Sequence, residues 1–165
     1  MPRTRNRVVI TGLGCITPIG HDVDTYWQGL LTGKSGAAPI TKFATAGHSV
    51  TFGAEIKNFD PGNHMDAKEA KRMDPFAQYA VAAAKQAVKD SGIDFSKLDR
   101  YRCGAIIASG IGGLTELQDQ HQKYMEKGPG RTSPFFVPKM MLNAAAGQIA
   151  IEFGLGGPNW GIASA

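Results

Sequence analysis

"MDPFAQYAVAAAKQAVKDSG", residues 73–92, carries the clearest secondary-structure signal in the chain. Asp74 suits the N-cap of a helix, Pro75 suits its first turn, and Gly92 suits its end. These signals predict one helix between Asp74 and Gly92. One stripe of this helix consists mostly of small residues, namely Phe76, Tyr79, Ala80, Ala83, Ala84, Ala87 and Val88. Because alanine lets backbones approach closely, the stripe predicts tight packing against a sheet or another helix.

Strands and helices alternate on both sides of this segment. β-Branched runs that end in glycine or small residues predict strands or extended segments at 7–14, 51–60, 102–113 and 158–165. Apolar periodicity predicts further helices at 22–33, 114–127 and 139–154. The order is strand, helix, strand, helix, strand, helix, helix, strand. This alternation predicts an α/β fold in which a parallel or mixed sheet lies between helices, with residues 1–165 as one unit.

Two of these helices have apolar stripes that suggest how they pack. In the first helix the inward face is predicted to carry Tyr26, Trp27, Leu30 and Leu31. In the helix at 114–127 the residues near one face are Leu114, Leu117, His121 and Tyr124. We expect these stripes to guide the two helices onto the rest of the domain.

Composition excludes several functional classes. The net charge is +4 and apolar residues make up 42% of the chain, as in ordinary globular proteins. Basic residues are not interleaved with aromatics, so nucleic-acid binding is not indicated. No apolar run approaches the roughly 18 residues of a membrane span, and no signal peptide is recognisable. Cys15 and Cys103 lack metal-ligand or redox spacing and predict buried, reduced thiols in a cytosolic protein, without a metal site.

Glycine-rich turns follow two predicted strands but do not form a nucleotide site. Gly12-x-Gly14 begins like a dinucleotide-binding fingerprint, yet Thr17 stands where its third glycine belongs. The turn at 109–113 has no lysine for a phosphate loop. No Ser-His-Asp arrangement, paired-carboxylate site or metal constellation can be assembled either. The residues by themselves describe an α/β domain without a complete active site.

Two short segments leave alternatives open. Lys68, Lys71 and Arg72 are spaced i, i+3 and i+4, so they would share one face of a helix. That face is either a solvated surface or a dock for an acidic partner. Phe135 and Phe136 lie in a Pro/Gly-rich loop, where they either fill the core or line an apolar pocket or a subunit interface.

Five segments, taken together, resemble a known family. They are "RVVITGLGCITPIG", "KEAKRMDPFAQYA", "SGIGGL", "SPFFVPKMMLNAAAGQIAIEFGLGGPN" and the closing "SA". In this order they resemble the β-ketoacyl-[acyl-carrier-protein] synthases, most closely the elongating synthase II type. The resemblance spans all 165 residues but only about the first two-fifths of a family member. It implies a thiolase-like fold, in which two similar α/β halves form five layers, α-β-α-β-α, and this chain supplies the N-terminal half.

The resemblance also implies a chemistry and a place for it. Family members are cytoplasmic homodimers that condense an acyl thioester with malonyl-[acyl-carrier-protein], with loss of carbon dioxide and without a cofactor. Their nucleophilic cysteine would follow Ala165 directly, and their two catalytic histidines come later still. A chain of residues 1–165 alone is therefore expected to have no catalytic residue, no condensing activity and poor stability.

The resemblance assigns peripheral roles to residues that are present. Lys68, Lys71 and Arg72 match the family's basic patch for the acidic acyl carrier protein. Ile111 matches a position that lines the acyl pocket, and Phe135 matches an aromatic residue that reaches the acyl pocket of the partner subunit. Two alternatives stay open: a non-catalytic partner that shapes chain length, and a stand-alone module that binds the carrier protein.

Overall fold

The helix predicted at 73–92 is the central element of the fold. A computed structural model describes residues 6–164, and in it this helix, α3, spans Pro75–Ser91. The Asp74 carboxylate accepts a hydrogen bond from the backbone N–H of Phe76 at 3.2 Å. Gly92 ends the helix with a left-handed φ of +64°. Both predicted boundaries are confirmed.

The remaining elements follow the predicted order, apart from one predicted strand that is missing within residues 6–164, one predicted helix that is divided in two, and a short strand and a short helix that the sequence did not predict. The other helices are α1 (Val23–Leu31), α2 (Ala67–Ala70), α4 (Leu114–Lys127), α5 (Phe136–Met140) and α6 (Ala144–Phe153). The strands are β1 (Ala38–Pro39), β2 (Phe52–Gly53), β3 (Ala105–Ala108) and β4 (Asn159–Ile162). Short 3₁₀ turns lie at Pro61–Asn63, Phe95–Lys97, Arg100–Arg102 and Pro129–Arg131. The chain is thus a mixed α/β domain, as predicted.

A parallel pair of strands and two helices form the core. β3 and β4 pair in parallel from Ala105 opposite Asn159 to Ala108 opposite Ile162. Helix α6 contacts both strands and also α3. The buried core consists of Met65, Ala70, Met73, Ala77, Val81, Ala105, Ala145, Ala146 and Ile149. Because so many of these residues are alanines, α3 and α6 pack closely. The predicted close packing is confirmed, but the buried residues of α3 are Ala77, Val81 and Ala82, which lie outside the predicted stripe.

One face of the β3–β4 sheet is apolar and exposed. Ile106 lies opposite Trp160 and Ala108 lies opposite Ile162 in the strand register. Ile106, Trp160 and Ile162 are 54%, 61% and 47% exposed. Alternation along the strands therefore gives one side to α6 and leaves the other side as an apolar surface.

The predicted buried strand at 7–14 is wrong. Its apolar side chains are exposed, and within 6–164 the segment pairs with no strand. It lies instead along α3, where the N–H of Leu13 donates to Asp90 Oδ2 at 2.9 Å and that of Cys15 donates to Gln86 Oε1 at 3.1 Å. Gly14 passes so close to the Ala83 carbonyl that no side chain fits there. A β-branched run alone does not make a strand, because ladder hydrogen bonds need a partner.

The predicted inward face of α1 is also wrong. Its one buried residue is Gly29, which approaches Ile19. Trp27, Leu30 and Leu31 are exposed, and only Tyr26 is half-buried. The helix makes its contact through its smallest residue, so the large apolar side chains of the predicted stripe stay outside the core.

A single helix predicted at 139–154 is in fact two. Helix α5 ends at Met140, and Met141 has φ −56° and ψ 140°, which is not helical. The Met140 carbonyl accepts a hydrogen bond from the N–H of Gly113 at 2.9 Å. Because that carbonyl bonds to another segment, it is not available to continue the helix. The interruption therefore ties α5 to the loop before α4.

Candidate functional site

The carboxyl ends of β3 and β4 meet at one edge of the sheet, where loops of α/β folds commonly bind ligands. The chain leaves β3 into the loop Ser109–Gly113 and leaves β4 at Ala163 and Ser164. The N–H of Ser109 donates to the Ile162 carbonyl at 3.0 Å, which joins the two exits. Ile111 is at the tip of the loop and is 65% exposed. The residue matched to the acyl pocket thus lies beside the end of β4.

The three basic residues lie immediately before α3. They are all exposed, but they do not share a helix, because α2 contains only Lys68 and ends at Ala70. Asp66 caps this short helix, accepting from the N–H groups of Lys68 and Glu69 at 2.8 and 2.9 Å. Buried residues on both sides hold the turn in place. The basic patch, defined as Lys68, Lys71 and Arg72, therefore lies on the short helix α2 and the turn that follows it. It is not one face of a single longer helix.

The structure brings the basic patch next to Phe135. The guanidinium carbon of Arg72 lies 5.8 Å from the centroid of the Phe135 ring, which is a cation–π distance. Phe135 itself is 51% exposed. Arg72 and Phe135 therefore share one surface. The resemblance matches Arg72 to a carrier-protein contact and Phe135 to an acyl-chain contact.

The second phenylalanine of the pair has a different environment. Phe136 is half-buried and lines a small cavity of about 190 Å³ together with Leu117, Gln120, His121, Tyr124 and Thr132. Three of the four residues of the stripe predicted on α4, namely Leu117, His121 and Tyr124, line this cavity and are exposed. The open alternatives for the two phenylalanines thus resolve differently, with Phe135 on the surface and Phe136 at a cavity. The local sequence pattern does not distinguish the two positions, and only the resemblance singles out Phe135.

Helix α4 buries polar residues instead of its apolar stripe. Glu116 and Gln120 are buried at 6% and 5% exposure, while Leu114 and Tyr124 are 53% and 50% exposed. Glu116 pairs with Lys139, and Gln120 Nε2 donates to Glu116 Oε1 at 2.9 Å. Buried polar groups are tolerated when they are hydrogen-bonded, and these are. The i, i+4 spacing of Glu116 and Gln120 is the sequence signal for a shared polar face, and sequence reasoning missed it.

Asp74 also serves the start of α4. The N-cap of α4 is Gly113, which has no side chain to accept a hydrogen bond. Asp74 Oδ2 accepts from the N–H of Glu116 at 2.7 Å and so replaces the missing cap. One carboxylate therefore caps two helices that are far apart in sequence.

Serine at position 113 should destabilise the protein, although serine normally favours an N-cap. A Cβ at this position would lie 2.7 Å from Met140 Cα and 2.8 Å from the Lys139 carbonyl oxygen, both of which are backbone atoms. We expect Gly113→Ser to lower the free energy of unfolding by about 2 kcal/mol, within the range for overpacking. Denaturant unfolding measures this change, with Gly130→Ser as the control because a Cβ there meets open space. Equal stability of the two variants would contradict the close contact.

The Cys15 thiol does not have the features of an activated nucleophile. Both cysteines are free and half-buried, so the prediction of fully buried thiols is only partly met. Burial, and secondarily the nearby Asp22, raises the pKa of the Cys15 thiol. A raised pKa disfavours the reactive thiolate. Within residues 6–164 no group of three or more His, Cys, Asp or Glu residues could hold a metal ion. In the same range, every helix is too short or too polar to cross a membrane.

Comparison with solved structures identifies the class of protein. The chain superimposes on "the ishigamide ketosynthase/chain length factor" with a TM-score of 0.83 and 30% identity, covering 97% of this chain and 40% of that one. It also superimposes on a β-ketoacyl synthase from Burkholderia phymatum with a TM-score of 0.72 and 21% identity, covering 93% of this chain and 38% of that one. The fold is therefore the thiolase-like fold of the ketosynthases, and the prediction of that fold is confirmed.

Sequence comparison identifies the family. The model of the β-ketoacyl synthase N-terminal domain matches residues 5–165, and the chain belongs to this family. It is 47% identical to 3-oxoacyl-[acyl-carrier-protein] synthase 2 of Synechocystis sp. over 94% of its length. It is 48% identical to the protein of the same name from Staphylococcus aureus over 93% of its length. The chain spans 37% of the length of each of these relatives.

Proposed function

We propose that this chain is the N-terminal part of a β-ketoacyl-[acyl-carrier-protein] synthase of the synthase II type, which lengthens acyl chains in fatty acid synthesis. The observation that carries the proposal is the 47–48% identity to 3-oxoacyl-[acyl-carrier-protein] synthase 2 over 93–94% of this chain. The 3.0 Å hydrogen bond from the N–H of Ser109 to the Ile162 carbonyl supports it. It sets the exit of β4 beside the loop that carries Ile111. A nucleophile placed after this strand would attack a thioester next to a residue that contacts the acyl chain.

The chemistry that goes with this proposal has two stages. A cysteine thiolate takes the acyl group from the carrier thioester, forming an acyl-enzyme and releasing the carrier thiol. Malonyl-carrier protein then loses carbon dioxide, and the resulting enolate attacks the acyl-enzyme carbonyl, releasing the cysteine thiolate and a β-ketoacyl thioester. In the family the cysteine and two histidines that support these steps lie beyond the part that residues 1–165 match. The residues of this chain supply the surface for the carrier and one wall of the acyl site.

The carrier protein is proposed to dock on the basic patch. Lys68, Lys71 and Arg72 are exposed and project from a turn whose base is buried. Among solved ketosynthases of this fold, one is a type II polyketide ketosynthase in complex with its acyl-carrier protein. Exposed basic groups attract an acidic partner over a distance and lose that effect in salt.

Charge reversal in the patch tests this docking. In the full-length enzyme we expect Lys68→Glu and Arg72→Glu each to raise KM for acyl-carrier protein about tenfold at low salt, because repulsion replaces attraction. The value of kcat should change less than twofold. Lys89→Glu is the matched control, since Lys89 is exposed and lies about 20 Å further along the axis of α3. The proposal fails if Lys89→Glu has the same effect, or if the patch variants bind the carrier normally.

The proposal extends to assembly and location. We propose a homodimer in which β4 pairs across the two-fold axis and Phe135 reaches the acyl pocket of the partner. Within residues 6–164 β4 pairs only with β3, and its other edge and the exposed apolar face of the sheet support such an assembly. The corresponding location is the cytoplasm, where unpaired thiols such as Cys15 and Cys103 persist.

A non-catalytic partner that shapes chain length is the second candidate function. One solved relative of this fold is described as a ketosynthase/chain length factor, so the fold occurs in such a setting. The discriminating measurement is the coding sequence beyond Ala165. Cysteine at the next position, followed by a second α/β half with two histidines, supports the synthase. Another residue at that position supports the non-catalytic partner.

A further inference from the structure

Three polar side chains are buried beneath the proposed binding surface. Asp74, Glu116 and Gln120 are only 3%, 6% and 5% exposed. The parts of the site that they underlie are much less buried, since Ile111 is 65% exposed and Phe135 is 51% exposed. Within residues 6–164, burial in the core therefore does not hold Ile111 and Phe135, whereas hydrogen bonds from the buried side chains reach the ends of the segments that carry them.

The first connection runs from the basic patch to the acyl loop. Asp74 follows the patch directly, and its two carboxylate oxygens accept from Phe76 N at 3.2 Å and from Glu116 N at 2.7 Å. The second bond fixes the first turn of α4, which begins where the loop carrying Ile111 ends. A displacement of the patch is thereby transmitted to that loop.

The second connection runs from α4 to the loop that carries Phe135. Gln120 Nε2 donates to Glu116 Oε1 at 2.9 Å, and Gln120 Oε1 accepts from the N–H of Ser133 at 2.8 Å. Glu116 Oε2 pairs with Lys139 on α5, and the N–H of Gly113 donates to the next carbonyl, that of Met140. These bonds of Glu116, Gln120 and Lys139, called here the buried network, therefore join the first turn of α4 to the loop at Ser133 and to helix α5, which begins directly after Phe135.

We propose that Glu116, Gln120 and Lys139 are positioning residues that set acyl chain-length preference by fixing the loops of Ile111 and Phe135 relative to each other and to the basic patch. The inference rests on the proposed function. A buried ion pair is on average no more stabilising than apolar residues of the same size, so stability alone does not account for it. The hydrogen bonds of Glu116 and Gln120 are directional, so they hold the Ser133 loop and α5 in one orientation relative to α4. Apolar side chains make contacts that do not depend on direction in this way. In the proposed homodimer Phe135 enters the partner's pocket, so loosening the buried network lets Ile111 in one acyl pocket and Phe135 in the other adopt more than one position.

The test is the double variant Glu116→Gln/Lys139→Met in the full-length enzyme, which removes both charges at nearly constant volume. The measured quantity is the ratio of kcat/KM for acyl-carrier substrates of about 8 and about 16 carbons. We expect this ratio to change at least fivefold, while KM for malonyl-carrier protein stays within twofold. The matched control is Lys85→Met/Glu152→Gln, which removes the 2.7 Å ion pair between α3 and α6 by the same substitutions. The control should lower Tm and leave the ratio unchanged.

Several outcomes overturn the inference. One is an active Glu116→Gln/Lys139→Met enzyme with the wild-type ratio, and another is an equal shift in the control variant. If the double variant does not fold, Gln120→Leu is used instead, because it releases only the loop at Ser133. A wild-type ratio in Gln120→Leu overturns the inference as well. A wild-type full-length protein that condenses no acyl substrate refutes the proposed function, and the inference falls with it.

Discussion

Replacing Asp74 with alanine is expected to lower the free energy of unfolding by about 3 kcal/mol, because loss of a cap costs about 1 kcal/mol and a buried unsatisfied N–H costs about 1–3 kcal/mol. The carboxylate accepts from the N–H groups of Phe76 and Glu116, and its residue is only 3% exposed. Water therefore does not replace the lost acceptor. Denaturant unfolding of the full-length protein measures the change. A shift in the midpoint with an unchanged m-value reports a loss of stability.

The control for this prediction is Asp66→Ala. Asp66 also accepts from two backbone N–H groups, those of Lys68 and Glu69, but it is exposed. Water can replace its carboxylate, so the expected loss is about 1 kcal/mol. If both variants lose the same stability, burial of the Asp74 cap contributes nothing and the double-cap interpretation is wrong.

Ala146→Leu is expected to destabilise the protein by about 3 kcal/mol, at the upper end of the usual cost of overpacking. Ala146 is fully buried in the cluster that joins α6 to α3 and β3. Its carbonyl accepts from Asn159 Nδ2 at 2.7 Å, so a shift of α6 that admitted leucine would also break this bond to β4. Thermal unfolding and denaturant unfolding should both report the loss.

The same substitution at an exposed alanine provides the comparison. Ala67 lies on the surface of α2, and Ala67→Leu should change the free energy of unfolding by less than about 0.5 kcal/mol. A small effect at Ala146 would mean that α3 and α6 separate easily. That result would contradict the close alanine packing described for the core.

Local signals in the sequence were enough to predict α3 and β3. The cap at Asp74, the stop at Gly92 and the β-branched run at 105–108 act within their own segments, so no knowledge of neighbours is needed. The segment at 7–14 has an equally good strand pattern and forms no strand within the described residues. Its outcome depends on a pairing partner, which local sequence does not specify.

The buried face of α4 was not predictable from hydropathy. A periodicity argument assigns Leu114 and Leu117 to the inside, yet Glu116 and Gln120 are the buried residues. Their burial depends on partners at Ser133 and Lys139, which come from other segments. Asp74 illustrates the same limit, because its cap on α3 is local and its cap on α4 is not.

The candidate site was predicted by resemblance and not by chemistry. From the residues alone, Lys68, Lys71, Arg72 and Phe135 had several open interpretations and Ile111 had none, so only similarity to a family gave each a definite role. The structure adds that Arg72 and Phe135 lie together. It also shows that Phe136, to which the resemblance assigns no role, lines the cavity beside α4.

The shared cap at Asp74 has a consequence for the order of folding. The bond from Glu116 N to Asp74 spans 42 residues, so the first turn of α4 depends on a non-local contact. A peptide of residues 114–127 lacks this acceptor and frays at its start, since short isolated helices are marginal in water. We therefore expect helix α3, whose signals are all local, to form before α4, which gains a defined beginning only after the intervening chain has closed into a loop.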